Sequence, residues 1–282
     1  MKFISLFAGI GGLDLGLERA GMECVAQVEI NEFALKVLQK HWANVPKFKD
    51  VRDVGKHNLP PADLICGGFP CQDVSLAGKQ KGLEGKRSTL WSEFHRIVCE
   101  VRPRWVIIEN VPGLFTSNSG RFFTKILRDL STSGYHAEWR TLSAFGVGAN
   151  HIRERVFIVS YSESVKSRLT HQQQGRENLG AGSGKVSWNT GLQREVSKSE
   201  WWSVEPAVGR VAHGIPDRLD RLTALGNAVV PQVAEFVGVQ VMKAEARLTP
   251  LALDGATAPI ASGDLPADVL VGEGTLPEPP RQ

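Results

Sequence analysis

Apolar residues in the first 160 positions fall in short runs that alternate with stripes of helical spacing. Phe3-Ile-Ser-Leu-Phe7 reads as a strand, and residues 9–20 as a turn opening a helix with Leu13 and Leu17 on one face. Residues 24–29 form a second predicted strand. Asn31 is a suitable N-cap for a helix running to about Trp42. A third short β-like stretch holds Asp50 and Val51. Residues 62–66 (Ala-Asp-Leu-Ile-Cys) read as a buried strand that Gly67-Gly68 then break. A helix capped by Ser88 places Leu90, Phe94, Ile97, Val98 and Val101 in one apolar stripe. Residues 104–108 are the next strand, Phe122, Phe123, Ile126, Leu127 and Leu130 mark another helix, and two β-rich runs, 135–142 and 156–161, close the block. Repeated βα alternation predicts an α/β fold with a doubly wound, mainly parallel sheet.

The pattern changes after Tyr161. Residues 162–212 are rich in Ser, Gln, Gly and basic side chains with little periodicity, yet carry Trp188, Trp201 and Trp202, more indole than a purely disordered segment would hold. This predicts a small, loop-rich second domain between a first domain at 1–161 and its return at 213–244, where residues 231–243 read as a helix with Val233, Phe236, Val237 and Val241 inward. Residues 245–282 are Pro/Ala/Gly/Leu-rich without a pattern and read as a flexible tail.

Composition adds three constraints. Hydrophobic content of 42% and charged content of 22% are those of an ordinary globular chain. No apolar run approaches the ~20 residues needed to cross a bilayer, and MKFISLFAG lacks the basic start and cleavage site of a leader, so no membrane partner is expected. Cys24, Cys66, Cys71 and Cys99 are too scattered for a disulfide framework and form no C-x-x-C pair, so a cytoplasmic setting and no metal are expected. The net charge of +3 hides an asymmetry: residues 245–282 hold six acidic and two basic side chains (−4), leaving the rest at +7. Local clusters such as Lys79, Lys81, Lys86 and Arg87 suit a polyanionic partner, and equally a solvated basic loop.

The candidate chemistry sits where strands end, the ligand side of an open α/β sheet. Pro70 fixes its own φ and biases Phe69 away from helix, so Cys71 follows on a stiff loop, either as a nucleophile or as an inert structural thiol. Phe7-Ala-Gly-Ile-Gly-Gly12 allows a tight turn and close ligand approach, although Asp14 occupies the third glycine position of the dinucleotide fingerprint. Glu29 ends the next strand, where a carboxylate can accept both hydroxyls of a ribose, and Asp50 could accept from an adenine amino group; a loop acid and a turn residue are the plain alternatives. Glu109 ends the strand after Ile108, where burial would raise its pKa and let it donate a proton to a ring nitrogen. Arg153 and Arg155 share a face before the 156–161 strand, with Glu154 between them. Asn227 lies in Gly226-Asn-Ala-Val-Val-Pro231, a loop entering the last helix.

In this order, FAGIGG, Glu29, Asp50, GGFPCQDVS, ENV, an R-x-R and GNAVVPQ resemble the DNA (cytosine-5)-methyltransferases over about residues 3–160 and 213–240, with PCQ and ENV separated by 38 residues. The stretch Val208-Gly-Arg-Val-Ala-His-Gly214 resembles compact members found in phages and prophages. The resemblance implies a Rossmann-like methyltransferase fold that binds S-adenosyl-L-methionine. Phe7, Ala8, Gly9 and Gly11 would form its methionine-side loop and Glu29 its ribose partner. Ile30 would lie against adenine, Asp50 and Val51 beside its amino group, and Pro70, Leu90 and Asn227 would complete the walls. Cys71 would be the nucleophile, Glu109 the N3 partner, and Arg153 and Arg155 the support for base and thiol. It further implies double-stranded DNA as substrate, a flipped-out base, residues 162–212 as a target-recognition domain, and a basic loop after Cys71 that closes over the base. It leaves room for a cognate restriction endonuclease as a second partner. The family usually has Gln where this chain has His151. A tRNA cytosine-5 methyltransferase and a non-catalytic DNA-binding relative are the alternatives. This chain lacks the recognition features of the first between Tyr161 and Gly209; the second would show loss of Cys71, Glu109 or an arginine, and all are retained.

Overall fold

The computed structural model describes residues 1–70, 88–168 and 218–248, so Cys71, the basic loop, residues 169–217 and residues 249–282 of the expected tail lie outside the described residues. Seven strands form one sheet: β1 (Lys2–Leu6), β2 (Glu23–Val28), β3 (Lys47–Phe48), β4 (Leu64–Gly67), β5 (Trp105–Asn110), β6 (Tyr135–Ser143) and β7 (Glu154–Ser162), in the order β3-β2-β1-β4-β5-β7-β6. β1 pairs in parallel with both β2 and β4, β2 with β3, and β4 with β5. β7 runs antiparallel to β5 and to β6, so the sheet is parallel through five strands and ends in an antiparallel hairpin.

Strand alternation explains why the apolar runs are continuous. Phe3, Leu64, Ile107 and Phe157 point to one face, where α1 (Gly12–Arg19) and the last helix pack. Their chain neighbours Ile4, Ile65, Ile108 and Ile158 point to the other, beneath α3 (Ser88–Val101) and α4 (Arg121–Thr132). All eight strand residues are fully buried. α2 (Glu32–His41) starts at the expected cap, with Asn31 Oδ1 accepting from the Ala34 amide at 2.9 Å.

α1 and the last helix, α6 (Pro231–Leu248), lie unusually close because glycine faces small side chains. A Cβ on Gly16 would meet Ala234 Cβ and the Pro231 carbonyl, and one on Gly238 would come within 2.7 Å of Ala20 Cβ. Residues 219–248 are long and apolar enough to cross a membrane by length and composition. They are, however, split at 228–230, and Val233, Val237, Val241 and Leu248 are buried in the core of this fold.

Four details differ from the sequence-based expectation. The third β-like stretch is a two-residue strand followed by a 3₁₀ turn, Val51–Asp53, capped by Asp50, whose side chain accepts from the Arg52 amide at 2.9 Å. A short polar residue before a lone buried valine fits a cap better than a strand. Arg218–Asn227 is a helix, α5, so Gly226 and Asn227 close a helix rather than sit in an open loop. Residues 163–168 are helical and Val165 is buried with Phe3 and Phe236, so first-domain packing continues past 161. α6 runs to Leu248, placing residues 245–248 in the packed helix rather than in a tail: Trp105 Nε1 donates to Glu245 Oε2 at 2.7 Å, and Arg104 pairs with the same carboxylate.

Candidate active site

The chain leaves β1 toward β2 on one side and β4 on the other, which opens a crevice at the carboxyl ends of these strands. The loop after β1 is built to leave room there. Phe7 has φ 55° and Gly9 φ 55°, and nothing lies within 4 Å of the place a Gly9 Cβ would occupy. A left-handed conformation at a bulky residue such as Phe7 is costly and is held by its surroundings. Gly11, at φ 83°, caps α1 and packs flat under the indole of Trp42, which fills the position of a side chain.

Glu29 is bound to this loop. Its Oε2 accepts from the Gly9 amide at 2.7 Å and its Oε1 from the Asn31 amide at 2.8 Å. Each carboxylate oxygen keeps a second lone pair for an outside donor. Beside it Ile30 is 64% exposed, a large apolar side chain with nothing covering it among the described residues. An acceptor pair next to a bare apolar surface and an open glycine backbone fits the ribose and base of a nucleoside. Asp50 lies past β3, with both carboxylate oxygens engaged by Arg52, and this pairing holds its carboxyl below the usual range. Val51 is buried, Pro70 exposed and Leu90 half-buried.

The acid at the end of β5 is the most perturbed group of the crevice. Glu109 is 7% exposed and lies against Gly68, where any side chain would collide with its carboxylate. Burial pushes its pKa up to about 7, against the pull of Arg155 and Arg153. Arg155 Nε meets Glu109 Oε1 at 2.9 Å. A carboxyl with that value is part protonated near neutrality, so it can both hold and give a proton. Arg153 does something different: its Nη2 donates to the carbonyls of Gly226 (2.6 Å) and Ala228 (2.7 Å), tying the end of α5 to the lead-in of β7. The same connection reaches α1, since the Val229 carbonyl occupies the space in front of Gly12. The exposed Asn227 is thereby carried on a segment that touches both the arginine and the glycine loop.

Three further residues contribute that were not named as site residues from the sequence. Asn110, buried beside Glu109, donates from Nδ2 to the Phe69 carbonyl at 3.1 Å while its Oδ1 accepts from the Val111 amide at 2.9 Å. Phe69 itself is wedged among Trp91, Phe94 and Phe122, with ring centroids 5.6, 6.4 and 6.0 Å away. The chain is thus fixed on both backbone and side chain two residues before Cys71. Asp14, which breaks the glycine fingerprint, is fully buried and accepts from Ser5 Oγ and Gln27 Nε2, each at 2.9 Å; burial pushes it up to about 6. This polar contact fastens the first turn of α1 to β1 and β2. A polar residue in the middle of each apolar run, Ser5 and Gln27, was the available hint.

Comparison with known proteins gives the family. The family model for C-5 cytosine-specific DNA methylase matches residues 1–199. The chain is 31% identical over 223 residues to the Type II methyltransferase M.NgoFVII of Neisseria gonorrhoeae, covering 77% of this chain and 60% of that protein. It is 35% identical over 165 residues to the Type II methyltransferase M.HhaI of Haemophilus parahaemolyticus, covering 58% of this chain and 50% of that one. The chain therefore spans half to three-fifths of the length of these curated relatives. A crystal structure of a prophage-encoded E. coli protein, described as a DNA modification methyltransferase, superposes with a TM-score of 0.51 at 30% identity, covering 59% of this chain and 48% of that one.

Proposed function

The chain belongs to the C-5 cytosine-specific DNA methylase family, and from that premise we propose that it transfers a methyl group from S-adenosyl-L-methionine to C5 of a cytosine in a short duplex DNA context. The observation that carries this reading is Glu109: a buried acid, near-neutral in pKa, held by Arg155 at the end of the strand next to the one that leads to Cys71.

Cytosine C5 is a poor nucleophile. Attack of the Cys71 thiolate on C6, with the Glu109 carboxyl giving its proton to N3, forms a C6–S bond and makes C5 an enamine carbon. Arg155 keeps the carboxyl aimed, and Arg153 holds the segment that bears Asn227. S-adenosyl-L-methionine supplies an electrophilic methyl group. Loss of the C5 proton to a base, expulsion of the thiolate and return of the N3 proton to Glu109 then restore the aromatic ring and the enzyme. Phe7, Ala8, Gly9 and Gly11 would hold the methionine end of the donor, Glu29 the ribose, and Ile30, Asp50 and Val51 the adenine, with Pro70, Leu90 and Asn227 as walls. The target must leave the helix stack to reach this crevice, at a cost of a few kcal/mol. Residues 169–212 would read the sequence around it. A cognate restriction endonuclease would be a second partner.

The test is a duplex carrying 5-fluorocytosine at the methylated site, which blocks the final proton loss and traps the C6 adduct. Bisulfite sequencing of DNA from expressing cells first identifies the site. We expect a donor-dependent crosslink in the wild type and none in Cys71→Ser, with duplex affinity kept. Turnover in Cys71→Ser, or modification of tRNA in place of DNA, would overturn the reading.

A further inference from the structure

We propose that Arg96 is a positioning residue for the methyl-donor pocket, acting through Val51; the inference rests on the assignment of Asp50 and Val51 to the adenine side of that pocket. The segment concerned has little regular structure of its own. β3 is two residues long, the 3₁₀ turn Val51–Asp53 is a single turn, and irregular chain follows. Burial of Val51 and Val54 gives it apolar anchors, but burial is non-directional and does not fix the rotation of the turn.

Arg96, in the middle of α3, supplies the direction. Its Nε donates to Glu93 Oε2 at 2.7 Å and its Nη1 to Glu100 Oε1 at 2.7 Å, so two carboxylates of the same helix set the plane of the guanidinium. Nη2 is left pointing off the helix and donates to the carbonyls of Val51 at 3.2 Å and Val54 at 2.9 Å. Glu100 completes the clamp, its Oε2 accepting from the Lys56 amide at 3.1 Å, and Gly55 carries no side chain where that carboxylate passes. One rigid fork therefore grips both ends of the turn, a geometry that a lysine's point charge does not reproduce. The helix that holds the clamp also carries Leu90, the proposed wall residue on the other side of the donor, and it begins where the segment bearing Cys71 ends. Arg96 makes the adenine side and the Leu90 side parts of one body, so the pocket is formed before the donor arrives.

If the clamp sets the competent fraction of the pocket, releasing it to about a tenth of the population raises the apparent Kd about tenfold. The experiment uses the full chain. Binding of S-adenosyl-L-homocysteine is measured by calorimetry, with KM for S-adenosyl-L-methionine, kcat at saturating donor, duplex affinity and Tm, for the wild type, Arg96→Lys and Arg96→Met. We expect both variants to raise Kd and KM for the donor about tenfold, with kcat and duplex affinity within about twofold of the wild type. A lower Tm with unchanged donor Kd would mean a structural clamp only and would overturn the proposal; so would equal losses in kcat and duplex affinity. Should the Arg96 variants fail to fold, Glu100→Gln loosens the same clamp, and an unchanged donor Kd there overturns it as well. Glu29→Ala is run in parallel. Weak donor binding in Glu29→Ala with normal binding in the Arg96 variants removes this inference alone, whereas normal binding in all of them removes the donor-pocket assignment with it.

Discussion

Replacing Glu109 by Gln should make the protein more stable at alkaline pH and change little in acid. The glutamine imitates the protonated carboxyl, the form that burial prefers. Below the ordinary glutamate value of 4.5 the acid is neutral in folded and unfolded chains alike, and the two proteins should match. As pH rises through about 7, the folded wild type must ionise a group that is only 7% exposed, while the unfolded chain has already ionised in water, and the stability held in acid is lost. The displacement from 4.5 to about 7 corresponds to about 3 kcal/mol at the alkaline limit, of which about 2.5 kcal/mol develops between pH 5 and pH 8.5. Urea unfolding of both proteins at half-unit steps across that range gives the difference directly. A difference that stays flat with pH, or one that favours the wild type at pH 8.5, would refute the claim that burial outweighs the two arginines at this carboxyl. The glutamine should also lose methyl transfer, since it has no proton to give at N3. Stability gained where activity is lost is the expected mark of a group selected for its chemistry.

Two further outcomes follow from the packing around the crevice. Asn110→Ala frees the Phe69 carbonyl and should cost about 1–2 kcal/mol in stability, with a further fall in kcat at saturating DNA, as the chain before Cys71 loses its backbone anchor; an unchanged kcat would show that Phe69 packing suffices. Gly16→Ala forces the start of α6 away from α1 and should cost about 1–3 kcal/mol, while raising KM for the donor through the shifted Val229–Gly12 contact; a variant as stable as the wild type would show that the helices yield freely.

Much of this was legible from local pattern, for reasons that differ by element. β1, β4 and β5 announce themselves because both faces of each are covered, which leaves uninterrupted apolar runs, and Asn31 announces α2 because its cap bond is local. Glu109 could be placed at the ligand side because the strand before it is so plainly buried. The mainly parallel direction of the sheet followed from the βα alternation, but its reversal at β7 was not legible: residues 156–161 are equally apolar in either direction. α5 escaped notice, and Leu219 and Leu225 on it are exposed rather than packed. The roles of Arg96 and of Asn110 in the ENV motif escaped because each acts on a backbone carbonyl more than 40 residues away, and a carbonyl leaves no trace in the identity of the residue that bears it.

The close seating of α6 on α1 also has a meaning for biosynthesis. Residues 12–19 leave the ribosome well before their partners at 231–248. Until then Leu13 and Leu17 lack their cover and the glycine loop lacks its Val229 neighbour. A nascent chain should therefore not capture the methyl donor until the late helix has been translated, and ribosomal stalling before residue 231 should leave an apolar surface for chaperones to shield.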